Sequence, residues 1–248
     1  RLRLAEVPTL QPSVQGPRVA FDARSLQSPA FGSRGIGRFA AAALAGLRSC
    51  IGDEQITLVI DHGLHPLPPD LAGTCRQTPR ISASEVDQYS VLIEPSPMTH
   101  SPDPIVPLLG SGAYSLAVVF DFIPLHHPNV YLSGVAQRVE YTACLDALRE
   151  YQDFLCISHL ASEDLQSILK GSKRHPGSPT IEVAWPREIA TIPPAASAIN
   201  DTSGPIVLMT GDEPRKNTFG GLAGIAAATI DEDERDVVVI GMAGRDVR

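Results

Sequence analysis

The chain has 248 residues, 43% hydrophobic and 19% charged, and 20 Lys and Arg against 28 Asp and Glu leave a formal charge of −8. This mixture can bury a core, which excludes wholesale disorder and collagen-like repetition. It offers no global attraction to a polyphosphate backbone, so nucleic acid is not an expected partner. At roughly 100 to 200 residues per domain, the length corresponds to one large domain or about one and a half ordinary ones.

Residues 1–17 carry Pro8, Pro12 and Pro17 with little periodicity and are expected to form an N-terminal arm. They lack the continuous apolar core of a signal peptide, and no run approaches the ~18 apolar residues of a spanning helix. The chain starts at Arg1 rather than Met, as expected of a processed or trimmed end. These features predict a soluble, cytoplasmic protein. Cys50, Cys75, Cys144 and Cys156 show no CxxC spacing and are few for a disulfide framework, so they are expected to be reduced, buried small hydrophobes.

Val19, Ala20 and Phe21 predict a short strand ending in Asp22. After a polar loop, Ile36, Phe39, Ala43 and Leu47 recur at helical spacing over 35–49. Further apolar runs at 56–60, 91–94 and 116–120 each end at a breaker and read as buried strands, while 62–111 is rich in Pro, Gly and Ser and yields few other elements. Over 133–150 the residues Val135, Val139, Leu145 and Leu148, with Thr142 filling the gap, predict an amphipathic helix docking one face on a sheet. A strand at 154–157, a helix opened by Ser158 with Leu160, Leu165 and Ile168 apolar, and a strand at 181–184 follow. Pro186, Pro193, Pro194 and the small residues to Gly204 predict a linker. A strand at 206–209, an Ala-rich helix at 219–229 and a strand at 237–240 then make one βαβ unit. Short buried runs alternating with helices predict an α/β fold, a Rossmann-like doubly wound parallel sheet covered on both faces over 18–200. Residues 205–248 are expected to be the start of a second such domain that is incomplete or has its remainder elsewhere.

Three loops at predicted strand ends carry candidate chemistry. In the first, Gly35 and Gly37, flanked by Arg34 and Arg38, precede a helix, where backbone N–H groups and two cations suit a phosphorylated ligand. With Ala40 they also satisfy G-x-G-x-x-A, and Asp61 ends the next strand where a ribose-binding acid would lie. Against a dinucleotide site, a dozen residues separate the glycines from their strand. The competing structural reading is a tight turn with close helix packing. In the second loop, Arg215, Lys216 and Asn217 precede the helix near Phe219 and would hold a diphosphate, or else form a solvated loop with an N-cap. In the third, Asp121 ends a strand at the crevice edge as a candidate for a sugar hydroxyl or an acceptor, the alternative being a turn-forming Asp before Pro124. His62, His126, His127 and His159 form no metal-ligand spacing, so no metal is expected. Ser158 lacks a G-x-S-x-G context and reads as a helix N-cap.

Taken in order, FDARSLQ, RGIGRF, VVFDFIPLHHPNVYL, CISHLASEDL and GDEPRKN resemble the family-4 retaining glycosyltransferases, particularly the bacterial branch that builds surface polysaccharides and often transfers mannose. The resemblance covers roughly residues 18 to 248. It implies the glycosyltransferase B architecture: two Rossmann-like domains, the first mostly for the acceptor and the second mostly for the nucleotide-sugar donor. By the same resemblance, Gly35 and Gly37 match the glycine turn over the donor phosphates, with Arg38 beside it. Lys216 matches the lysine on the diphosphate, with Arg215 and Asn217 completing an R-K-N variant, and Asp121 matches the acid of the H/Y-D-x-I-P segment. Asp121 and Lys216 are thus the implied catalytic residues. The sequence departs from the family at Phe120, which replaces a polar ring, and at His159 and Ser162, where Glu and Arg are common. The family's E-x7-E segment would lie beyond Arg248.

The expected activity is transfer of a sugar, such as mannose, from a nucleotide-diphosphate sugar such as GDP-mannose or a UDP-sugar to a saccharide or lipid-linked acceptor in surface polysaccharide synthesis. No cofactor or metal is expected, and a lipid-linked acceptor would require only peripheral contact at the inner face of the plasma membrane. Homo-oligomerisation or a completing partner chain stays open. Two alternatives also remain: an NAD-dependent oxidoreductase using Gly35, Gly37, Ala40 and Asp61, and a noncatalytic module, either a degenerate transferase or one half of a split enzyme.

Overall fold

The first strand, β1 (Val19–Asp22), is buried along its whole length, and its residues serve opposite faces of a sheet: Ala20 joins one hydrophobic cluster and Phe21 the other. The same division recurs in β4 (Val91–Glu94), where Leu92 faces the first cluster and Ile93 packs against the second. A sheet apolar on both faces must be covered on both, and the helices do so. The long helix α2 (Gly35–Ile51) covers one face through Ala40 and Leu44, while α7 (Val135–Leu148) and α8 (His159–Leu169) cover the other through Leu148, Ala161, Leu165 and Leu169.

In this computed structural model the described residues are 18–170, 179–183, 206–209, 218–228 and 237–240. The chain divides into two units, Arg1–Arg187 and Glu188–Arg248. In the first, β2 (Ile56–Val59), β3 (Arg76–Thr78), β5 (Tyr114–Val119), β6 (Asp153–Cys156) and β7 (Thr180–Val183) complete a seven-stranded sheet of order β3-β2-β1-β4-β5-β6-β7. Every pairing is parallel, with Val19 in register with Ile56 on one side and Val91 on the other. This is the doubly wound Rossmann-like arrangement expected from the alternation of elements. The strand order reverses between β1 and β4, so the chain leaves those two neighbours in opposite directions and opens a crevice at their carboxyl ends. In the second unit, β8 (Ile206–Met209) and β9 (Val237–Ile240) pair in parallel, and α9 (Thr218–Ala228) lies between them in sequence.

Three details differ from the sequence reading. Val135 and Val139 of α7 are 79% and 65% exposed, whereas Tyr141, Cys144 and Leu148 form the buried face. At about 100° per residue, that face runs back from Tyr141 to Gln137, so Val139 lies roughly 200° away round the helix. Likewise Cys50 is exposed; Cys75, Cys144 and Cys156 are buried, and all four are free thiols. The edge strand β3 escaped detection because Arg76–Thr78 is short, polar and largely exposed, with no apolar run to read.

Candidate functional site

Three loops meet at the carboxyl edge of the sheet beside the reversal. The first follows β1. Asp22 accepts hydrogen bonds at Oδ1 from the Arg24 backbone N–H (3.0 Å) and Nε (2.9 Å), while Oδ2 accepts from Nε (3.0 Å) and Nη2. This two-residue fork ends the strand and starts the one-turn helix α1 (Arg24–Gln27). Arg24 Nη1 then crosses the reversal to donate to Ser101 O at 2.6 Å, in the loop that follows β4. Gln27 donates to the carbonyls of Asp61 (3.0 Å) and His65 (2.9 Å) and accepts the Asp61 N–H (2.7 Å), so the loop after β2 is tied to the same point.

Beneath this fork lies Glu94, the last residue of β4, 3% exposed beside Asp22 at 2% and Arg24 at 5%. Two carboxyls and one guanidinium cannot all be charged out of water without a net buried charge. Burial pushes Asp22 up, but the hydrogen bonds and charge of Arg24 override it and hold its carboxyl below the ordinary range. Glu94 goes the other way: burial and then the neighbouring Asp22 charge raise it well above the usual value. Glu94 is therefore the protonated member, hydrogen-bonded to Asp22 and accepting the Ser96 N–H at 3.3 Å. The sequence reading passed over this cluster. Its signal was present in two apolar strands that each end in an acid, one of them followed by Arg24.

The second loop carries the glycine turn, which opens α2. Phe31 O accepts the Gly37 N–H at 3.2 Å, and a Cβ on Gly37 would lie 2.6 Å from the Gly32 carbonyl carbon. Gly37 is thus required by close backbone packing, as the structural reading of the motif held. Gly35 is different: it is exposed at the first helical position, with nothing within 4 Å of where a Cβ would point. Arg38 is exposed one turn into the helix, so an anion approaching this helix start would meet open backbone and a cation.

The third loop follows β5. Phe120 packs edge-on against Phe39 of α2, with ring centroids 5.7 Å apart, which fixes this loop beside the first turn of that helix. Asp121 is half-buried there and its Oδ1 accepts the Ile123 N–H at 3.2 Å, which opens the one-turn helix α5 (Ile123–His126). His126 pairs with Asp164 of α8 at 2.8 Å, and Ser158 caps α8 by accepting the Ala161 N–H at 3.1 Å. Asp61, the candidate ribose acid, is exposed and holds the Gly63 N–H at 2.7 Å.

The Phe39–Phe120 contact thus sets the start of α2, with Gly35, Gly37 and Arg38, beside the loop that carries Asp121, while Asp22, Arg24 and Glu94 form a buried cluster at the ends of β1 and β4. Arg215, Lys216 and Asn217 lie outside the described residues, in the segment between β8 and α9. Among the described residues no group of three or more His, Cys, Asp or Glu is placed to hold a metal ion, and no helix is long and apolar enough to cross a membrane. Comparisons with protein-family models and with curated proteins find no match to this chain.

Proposed function

We propose that this chain belongs to a retaining glycosyltransferase that moves a sugar from a nucleotide-diphosphate sugar to a saccharide or lipid-linked acceptor. The observation that carries this reading is the meeting of FDARSLQ, RGIGRF and VVFDFIPL, three of the five segments of the resemblance, at the strand-order reversal of a parallel sheet. That is where open α/β sheets bind ligands. In this account the chemistry consists of neutralising a departing diphosphate. The start of the 17-residue helix α2 offers open backbone at Gly35 and the charge of Arg38, and the resemblance assigns Lys216, Arg215 and Asn217, which lie outside the described residues, to the diphosphate. Each charge-assisted hydrogen bond contributes ~1.5 to 3 kcal/mol against ~0.3 to 1 for the helix dipole, so side chains and N–H donors carry most of the stabilisation. Asp121, at the same edge, is the residue assigned to a sugar hydroxyl.

The dinucleotide reading is less well supported. It needs glycine backbone immediately after β1, whereas Asp22, Arg24 and α1 occupy that position with buried charge. The test is nucleotide-sugar consumption by the whole protein, with Lys216→Ala alongside. Turnover that drops on substitution supports the proposal, and turnover unchanged by it removes the role given to Lys216.

A further inference from the structure

We propose that His100 is a ligand-contacting residue of this crevice, its Nε2 accepting a hydrogen bond from a saccharide hydroxyl, with Thr99 as the residue that sets its tautomer. This deepens the glycosyltransferase reading and rests on it.

His100 sits in the loop that leaves β4 at the strand-order reversal, and the backbone there is pinned from several sides. Arg24 holds Ser101 O, and the Cys144 thiol of α7 donates to His100 O at 3.3 Å. The Thr99 N–H and hydroxyl both donate to Ser96 O, at 3.1 and 2.8 Å. A loop tied at Ser96, His100 and Ser101 presents the intervening side chain without needing to be ordered on binding. The ring itself is half-buried, edge-on to Phe31 with centroids 5.9 Å apart, so it stands beside the residues that lead into the glycine turn.

The hydrogen-bond network assigns its proton. Nδ1 lies 2.8 Å from Thr99 Oγ1. That hydroxyl has one hydrogen and gives it to Ser96 O, so towards His100 the oxygen can only accept. Nδ1 therefore carries the N–H, and in the neutral ring Nε2 is left with a lone pair. Nε2 has no partner among the described residues. The ring is kept neutral by burial and by the nearby Arg24 charge, both of which lower its affinity for a proton; Asp22 and Asp61 act weakly in the opposite direction. A fixed, uncharged acceptor at the crevice suits an O–H donor and does not suit a phosphate, which would need a cation there. The matching ligand group is a sugar hydroxyl.

The test uses the full chain labelled with 15N-histidine, whose seven histidines give a tractable spectrum assigned through His100→Gln. Probes are the methyl glycosides of mannose, glucose and galactose, together with GDP-mannose and UDP-glucose. The expected results are a non-protonated Nε2 for His100, a shift of that resonance on saturation with at least one probe, and about a three- to tenfold rise in Kd in His100→Ala. Thr99→Val should convert the His100 signal to mixed tautomers. A probe that binds and shifts other residues while His100 stays unmoved, or an unchanged Kd in His100→Ala, overturns the inference and leaves the transferase reading standing. An unchanged tautomer in Thr99→Val overturns the role of Thr99. Absence of binding by every probe overturns the inference and the reading together.

Discussion

Replacing Glu94 by Gln tests the charge state of the buried cluster directly. Gln keeps the shape, can accept the Ser96 N–H through its carbonyl, and can donate an amide N–H to Asp22 where the carboxylic acid donates its O–H. It cannot ionise. Glu94 holds its proton more tightly in the folded protein than at the ordinary value of 4.5. Its stabilising share is therefore complete below pH 4.5 and is lost as pH rises towards the folded value. Within that window the slope approaches ~1.4 kcal/mol per pH unit, so the native protein should lose ground steadily to Glu94→Gln as pH rises above 4.5. Asp22, held below its ordinary 3.8, titrates at more acid pH and stays outside the window. Urea denaturation of both proteins from pH 5 to pH 8 reads the difference, since every other group is common to the two. The gap should widen in favour of the variant as pH rises. A gap that is constant with pH, or that closes, would mean Glu94 is ionised in the folded state and the account of the cluster is wrong.

The glycine turn divides by substitution: Gly37→Ala forces a methyl into the Gly32 backbone and should lose roughly 1 to 3 kcal/mol, whereas Gly35→Ala should stay within about 0.5 kcal/mol by the same denaturation assay. On α7, Leu148→Ala should cost roughly 2 to 5 kcal/mol and Val139→Ser close to nothing; equal effects would restore the face predicted from sequence. Ser158→Ala should remove about 1 kcal/mol through the lost Ala161 cap, and thermal melts that show no change would refute the capping role.

The strands that build the crevice were legible because burial on both faces leaves a plain mark. The runs at β1, β2, β4, β5 and β6 are apolar and short, and each ends at a charged residue, a cysteine or a breaker at the edge where ligands bind. Helix α2 was legible as a helix from Ile36, Phe39, Ala43 and Leu47, of which Ala43 and Leu47 pack against the core, although its fully buried stripe is Gly37, Ala40 and Leu44. The misplaced face of α7 shows the limit of periodicity: valine is apolar whether or not anything covers it, and only the sheet decides that Tyr141 and Cys144 are turned inward. At the crevice edge, Gly35, Gly37 and Asp121 stood out by residue type at element ends, and two of them have structural duties there: Gly37 admits the Gly32 backbone and Asp121 holds the Ile123 N–H. Arg24 and His100 did not stand out. Arg24 matters through a bond to Ser101, 77 residues away, and His100 through a proton assigned by its neighbour, and both depend on the reversal that brings β1 beside β4.

In the proposed function, a nucleotide-diphosphate sugar and its acceptor bind at the edge that carries Gly35, Arg38, Asp121 and His100. Calorimetric titration of the chain with GDP-mannose, UDP-glucose and NAD is the most direct measurement. Saturable heat is expected with a nucleotide sugar, weakened when Arg38 is replaced by Ala, and none with NAD. Saturable binding of NAD with no response to any nucleotide sugar would contradict the proposed function.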